Sequence, residues 1–300
     1  MTNNNDSRPL AGWRIGFIGL GLMGKPMCLN LLSAGAELCV FNRSATAVEE
    51  IKNEQVSVMS DPAAVAAEVD LLILMLADTP AVEQVLFAER GVASGVHAKS
   101  LIIDMGTTAT LATRDFAHRL AELGARYIDA PVSGGQIGAK EATLSIMAGG
   151  DASDIESVMP VFKAMGRLVT HVGPVSSGQV TKAVNQVIVG LTIGAVSEAL
   201  AVAKKAGVDL EKAQQALMGG HASSRILQEH GTRMINKTFE PGGKVVTQAK
   251  DMQQAIDLAA QLGMELPATA LNLTLYKHLI EDGFGGLDHS ALYKYYDNES

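Results

Sequence analysis

The chain has 300 residues, 47% of them hydrophobic and 19% charged, with a formal net charge of −8. That apolar content excludes intrinsic disorder, and the length allows two domains whose cores need neither disulfide nor metal. An acidic chain lacks the basic face that a phosphate backbone requires, which excludes nucleic acid as the main partner.

The start, MTNNNDSRPLAGW, is polar and carries no apolar core of a secretory signal. The longest unbroken apolar run, Leu71 to Ala77, is too short to span a bilayer, so a cytoplasmic chain needing no membrane is expected. Cys28 and Cys39 lie among apolar residues without C-x-x-C spacing and read as two buried, reduced thiols.

Arg14–Leu20 is the first strand expected, and a helix follows over 22–34, with Met23, Met27, Leu31 and Ala34 on one face. Between them stands Gly19-Leu20-Gly21-Leu22-Met23-Gly24, a G-x-G-x-x-G turn in strand–turn–helix context. In that setting the first glycine permits the tight turn and the second lets a pyrophosphate approach the backbone. The third packs helix on strand, and the helix N-terminus offers N–H groups to the phosphates. The second strand, Glu37–Phe41, ends in Asn42-Arg43-Ser44 where an NAD site usually carries a carboxylate for the ribose hydroxyls. Arg43, with Asn42 and Ser44 as donors, suits a 2′-phosphate and favours NADP over NAD. The alternative is a solvated Arg43 beside a Ser44 that only caps the next helix.

Helices over 44–53, 61–67, 79–87 and 108–123 alternate with strands Leu71–Leu76, Leu101–Ile103 and Tyr127–Ala130. Such alternation, with Val, Ile and Leu runs, predicts a Rossmann-type, doubly wound parallel α/β sheet covered on both faces. Leu144–Ala148 and Leu168–Val172, flanking a helix that begins near Asp151 or Ser153, extend it. After Gly173-Pro174 the pattern turns helical: one long apolar helix over 178–206, then 209–219, 223–235, 247–262, 267–281 and 288–296. The expectation is a dinucleotide-binding domain over 1–175 and an all-helical substrate and oligomerisation domain over 176–300, joined by the long helix.

Three further islands carry polar groups in informative places. Asp129-Ala-Pro-Val-Ser133-Gly134-Gly135 ends a strand, where a hydroxyl and backbone N–H groups can grip a small carboxylate or simply make a turn. Gly178, Lys182 and Asn185 share one face of the long helix by i, i+4, i+7 spacing. Lys182 is either a proton donor and acceptor beside a nicotinamide or a surface lysine with a buried stem. Lys250-Asp251 opens a later helix and reads by composition as an exposed ion pair. The seven histidines show no ligand spacing, so no metal is expected.

Taken together and in order, these islands resemble the β-hydroxyacid dehydrogenase family over nearly the whole chain. The resemblance implies Lys182 as catalytic acid/base. Ser133, Gly134, Gly135 and Asn185 would hold the substrate. Leu76, Ala77, Thr107, Lys250 and Asp251 would line the cofactor with the glycine turn. Asn185-Gln-Val-Ile-Val189, Leu266-Pro267 and Asp288-His-Ser-Ala291 look most like the branch that reduces tartronate semialdehyde. The branches acting on 3-hydroxyisobutyrate, glyoxylate and succinic semialdehyde are near relatives. Gly106-Thr107 and Ala77 depart from the Ser-Thr and Pro that the family often has at these positions. The implied activity is hydride transfer between NADP(H) and a small 3-hydroxy acid or semialdehyde, in a homodimer or homotetramer. A non-catalytic NADP-binding module is the alternative from another class. A 6-phosphogluconate-type decarboxylating enzyme needs a larger helical domain than this chain has.

Overall fold

The computed structural model describes residues 8–297, so residues 1–7 of the polar start lie outside the described residues. The chain divides into two compact units, the first ending at Lys182 and the second beginning at Ala183. The expected boundary at 175/176 precedes this division, which falls inside the long helix. The reason is that the first turn of that helix is hydrogen-bonded to the sheet, as described below.

In the first unit the strands are β1 (Arg14–Ile18), β2 (Glu37–Phe41), β3 (Val56–Val58), β4 (Leu71–Leu74), β5 (Leu101–Asp104), β6 (Arg126–Asp129), β7 (Val132–Ser133), β8 (Leu144–Gly149) and β9 (Gly166–Gly173). They form one sheet in the order β3-β2-β1-β4-β5-β6-β8, with β7 and β9 each pairing with β8. The first six pair in parallel, with Gly16 opposite both Cys39 and Leu72 and Asp104 opposite Asp129. Strand β8 then joins antiparallel to β6 and β7, so the sheet is mixed at this end rather than wholly parallel. β4 and β5 are buried along their whole length, and apart from Asp104 their residues are apolar on both faces, as helices on both sides require.

Eight helices connect these strands: α1 (Gly24–Ser33), α2 (Ala45–Glu49), α3 (Pro62–Glu68), α4 (Thr79–Phe87), α5 (Thr110–Glu122), α6 (Gly135–Lys140), α7 (Ala152–Ser157) and α8 (Met159–Met165). The carboxylates of Asp61 and Asp78 accept from Ala64 N and Ala81 N. Each starts its helix with a proline in the first turn. The helix expected over 44–53 shortens to the single turn of α2. β3, β7 and α6 have no counterpart in the sequence reading, because three or fewer strand residues and a Gly-containing turn leave no periodicity.

The helix α9 (Ser177–Lys205) runs from the first unit into the second. It is long and apolar enough to cross a membrane by length and composition. Its residues Ile193, Val196, Leu200 and Ala201 belong to the core of the second unit. That unit continues with α10 (Leu210–Met218), α11 (Arg225–Ile235), α12 (Val245–Gln261), α13 (Pro267–Glu281) and a 3₁₀ segment, His289–Tyr295. No named strand occurs in it among the described residues, as expected. A Cβ on Gly190 would lie 2.7 Å from Met252 Sδ, and one on Gly194 2.7 Å from Asn272 Oδ1, so glycine lets α12 and α13 close on α9.

Candidate active site

The strand order reverses between β1 and β4, and the turns leaving β1, β4 and β5 meet there. This is the crevice at the carboxyl ends of the strands where ligands bind in such sheets. Gly19 has φ +104°, and a Cβ on it would stand 2.3 Å from Met75 O. A Cβ on Gly24 would stand 1.8 Å from Gly19 O, so these two glycines are required by the protein's own packing. Gly21 differs, since nothing lies within 4 Å of where its Cβ would be. Its bareness serves no internal contact and leaves the backbone open to a ligand. Leu22 is exposed on the same turn, while Leu20 is buried beneath it and Met23 is half-buried.

Asn42 braces this turn. Its Oδ1 accepts from Leu20 N at 2.9 Å, and its Nδ2 donates to Ser44 O at 3.0 Å. Arg43 is exposed and makes no ion pair among the described residues, and Ser44 stands at the N-cap of α2 without a side-chain cap bond. Leu76 is half-buried and Ala77 exposed. A Cβ on Gly106 would come 2.8 Å from Leu76 O, so glycine lets this turn approach the end of β4. The half-buried Thr107 follows directly.

Two buried carboxylates support this end of the sheet. Asp104 accepts from Gly106 N at 3.0 Å, from Thr108 Oγ1 and from the Tyr127 hydroxyl at 3.1 Å. Asp129 accepts from Ser176 N at 2.6 Å and Gln179 N at 2.8 Å, which caps α9. Burial pushes the Asp129 carboxyl up to about 7, against the backbone donors that favour its ionised form. Burial pushes the Tyr127 hydroxyl up as well, with both carboxylates adding to the shift. A Cβ on Gly178 would meet Met147 O at 2.3 Å and Asp129 O at 2.6 Å, so this glycine is required for α9 to approach the sheet. The Gln179 amide donates to Gly106 O at 2.9 Å and accepts from Thr108 N at 3.1 Å, holding the segment on either side of Thr107.

Lys182 is buried, at 8% exposure, and its Nζ donates to Val132 O at 2.9 Å, one residue before Ser133. A surface lysine is therefore not what α9 carries here. Ser133 and Gly134 are half-buried, and Gly135 is exposed at the start of α6. Gly134 has φ +131° and Gly135 φ +60°, conformations that favour glycine. Asn30 of α1 donates to Ala139 O at 2.7 Å, tying the glycine-turn helix to α6.

In the second unit, Asn185 and Lys250-Asp251 are brought together by Gln186. Asp251 is buried, pairs with Lys250 Nζ at 2.9 Å and accepts from Gln186 Nε2 at 2.6 Å. Asn185 Nδ2 donates to Gln186 Oε1 at 2.8 Å. Because α12 begins at Val245, Lys250-Asp251 lies in its second turn rather than opening it, and the pair is anchored by a buried carboxylate. The structure also groups His230, Asp288 and His289, which sequence spacing did not relate. Asp288 already accepts from Gly242 N, Gly243 N, Ser290 N and Ser290 Oγ, with Arg233 Nη1 3.6 Å away. These donors make the carboxylate an anchor for the Gly242–Gly243 turn and the 3₁₀ segment.

Residues 14–173 match the NAD-binding domain of 6-phosphogluconate dehydrogenase, and residues 176–296 match the NAD-binding family of NADP-dependent 3-hydroxyisobutyrate dehydrogenase. The 2-hydroxy-3-oxopropionate reductase of Escherichia coli (strain K12) is 47% identical over 93% of this chain and 95% of its own length. The chain belongs to the β-hydroxyacid dehydrogenase family. Two solved members of the family have the same fold. The 3-hydroxyisobutyrate dehydrogenase of Mycobacterium tuberculosis, with L-serine, superposes at a TM-score of 0.86 and 29% identity, covering 94% of this chain and 98% of that one. The enzyme of the same name from Salmonella typhimurium gives 0.85 and 26%, covering 94% and 99%. A hydroxyacid dehydrogenase or reductase with a nicotinamide-binding Rossmann domain is thus the class of this protein.

Sequence reasoning gave no role to four buried polar residues of this dehydrogenase, Asp104, Asp129, Gln179 and Gln186, although Asp129 heads one of the islands and Gln186 follows Asn185 in another stretch it singled out. A signal for the glutamines was available. Gln179, Lys182 and Gln186 recur at i, i+3, i+7 on an apolar helix, and a polar stripe on a face that must be buried marks a network.

Proposed function

We propose that the protein is an NADPH-dependent reductase of 2-hydroxy-3-oxopropionate (tartronate semialdehyde), forming glycerate. The observation that carries the reading is Lys182, a buried lysine whose ammonium lies 2.9 Å from Val132 O beside the Ser133-Gly134-Gly135 segment. Burying a lysine is costly unless it is paired or hydrogen-bonded, and the bond to Val132 O holds this ammonium beside that segment. The 47% identity to the E. coli reductase supports this substrate over that of the 3-hydroxyisobutyrate dehydrogenases, of which the two solved ones are 26% and 29% identical and two probable ones of Arabidopsis thaliana 34% and 31%.

The residues fit a nicotinamide dinucleotide: Gly21 leaves room at the turn, and the exposed Arg43 and Ser44 follow β2 where no carboxylate stands. That pattern supports NADP over NAD, with Asn42 bracing the turn, and Leu76, Ala77, Thr107, Lys250 and Asp251 on the cofactor side. When bound, the cofactor supplies the hydride for the aldehyde carbon. Lys182 gives its proton to the carbonyl oxygen, which becomes the C3 hydroxyl of the product. Ser133 Oγ and the N–H groups of Gly134 and Gly135 hold the carboxylate, and Asn185 holds the C2 hydroxyl.

The exposed apolar stripe Val184, Ile188, Ala195, Ala199 and Val202 on α9 supports assembly with a second copy in the cytoplasm. The test of function is NADPH oxidation, followed at 340 nm, with 2-hydroxy-3-oxopropionate, methylmalonate semialdehyde, succinate semialdehyde and glyoxylate, each repeated with NADH. The highest kcat/KM is expected for 2-hydroxy-3-oxopropionate with NADPH, and a higher value for any other pair contradicts the assignment.

A further inference from the structure

We propose that Gln186 is a positioning residue: pinned by the buried Asp251 carboxylate, it orients the Asn185 amide and thereby sets the preference for a substrate with a C2 hydroxyl. The inference rests on the substrate role given to Asn185 above.

Consecutive residues on a helix point about 100° apart, so side chains at i and i+1 do not ordinarily face each other. Asn185 Nδ2 nevertheless donates to Gln186 Oε1 at 2.8 Å. A third group must hold the glutamine, and two do. Its Nε2 donates to Asp251 Oδ2 at 2.6 Å and to Gln248 Oε1 at 3.3 Å. Two acceptors on the nitrogen side fix which end of the amide is which, leaving Oε1 for Asn185. Gln248 Nε2 donates back to Gln186 O at 3.2 Å, and Lys250 Nζ balances Asp251 at 2.9 Å. Gln186, Gln248 and Asp251 are all buried, so the bonds among these three are made out of water, where losing one partner is costly.

The consequence falls on Asn185. With one N–H spent on Gln186, its amide has Oδ1 and one N–H left for a ligand. An acceptor and a donor side by side match a hydroxyl next to a carboxylate, and a methyl in the hydroxyl's place would leave Oδ1 unpaired. The asparagine discriminates only if it cannot rotate, and Gln186 supplies that restraint.

The test is calorimetric binding of glycerate and of 3-hydroxyisobutyrate to the NADPH complex, in which neither acid can be oxidised. The two differ by hydroxyl against methyl at C2. Gln186→Met is expected to weaken glycerate about tenfold and to leave 3-hydroxyisobutyrate within about twofold. Added to Asn185→Ala, it should weaken glycerate no further. Equal losses for both acids, or the same loss in both backgrounds, would make Gln186 a core residue only and overturn the proposal. An Asn185→Ala variant that binds both acids like the wild type would instead overturn the substrate role beneath it. Gln186→Glu keeps the shape and places a carboxylate against Asp251. Its glycerate affinity should fall relative to wild type as pH rises from 5.5 to 8.5, and parallel curves would contradict the inference.

Discussion

At the end of β2, Asn42 spends its amide on Leu20 N and Ser44 O, whereas Arg43 is exposed without an ion pair among the described residues. A charge-assisted contact from Arg43 to a 2′-phosphate becomes a like-charge one in Arg43→Asp. NADPH should then weaken by about 2 kcal/mol or more with NADH little changed, as fluorescence titration would measure. Asp129 makes a different prediction. Its folded carboxyl titrates at about 7 against an ordinary 3.8, so between these values the folded state keeps a proton that the unfolded state releases. Its contribution to stability is full below about pH 4, falls as pH rises toward 7 by up to about 1.4 kcal/mol per unit, and is level above that. In Asp129→Asn this fall should disappear, so the difference in urea midpoint between wild type and variant should change from pH 4.5 to 7. A difference that stays constant would refute burial as the dominant influence on this carboxyl.

The turn between β1 and α1 was legible because each glycine's duty follows from the motif, although the structure assigns them unequally. Gly24→Ala forces a Cβ to 1.8 Å from Gly19 O and should destabilise the fold, whereas Gly21→Ala meets no atom of the protein. The expected result is a lowered Tm for the first, and for the second an unchanged Tm with weaker NADPH binding. Strands β1, β2, β4, β5 and β6 and helix α9 were equally readable, since each contains apolar residues in sequence and has a clear stop. β3 and β7 were not, because three and two residues are placed by their neighbours in the sheet rather than by their own pattern. The reversal of β8 was hidden for a related reason: an apolar run shows that a strand is buried and says nothing of its direction. Lys182 and Asn185 stood out as polar residues on an apolar helix. Asp129 and Gln186 did not, since their partners, Ser176, Gln179 and Asp251, are 47–65 residues away in the chain.

For the whole molecule, the exposed stripe on α9 bears on the assembly proposed above. Val184, Ile188 and Val202 are 54%, 60% and 69% exposed, a line of large apolar groups that a monomer would leave in water. In the assembly proposed above, Ile188→Asp should shift the mass to that of a monomer in light scattering, with helicity retained, and an unchanged mass would contradict α9 as its interface. The central claim is the chemistry of Lys182. A general acid contributes about 10²–10⁴-fold, so Lys182→Ala should lose that much kcat on 2-hydroxy-3-oxopropionate. NADPH should still bind as in the wild type, because the glycine turn and Arg43 do not depend on this side chain. Lys182→Arg should be almost as inactive, since a guanidinium does not release its proton near neutral pH. The decisive measurement is therefore kcat of folded, NADPH-binding Lys182→Ala: a loss of at least about a hundredfold is predicted, and retention of more than about a tenth of wild-type kcat would contradict it.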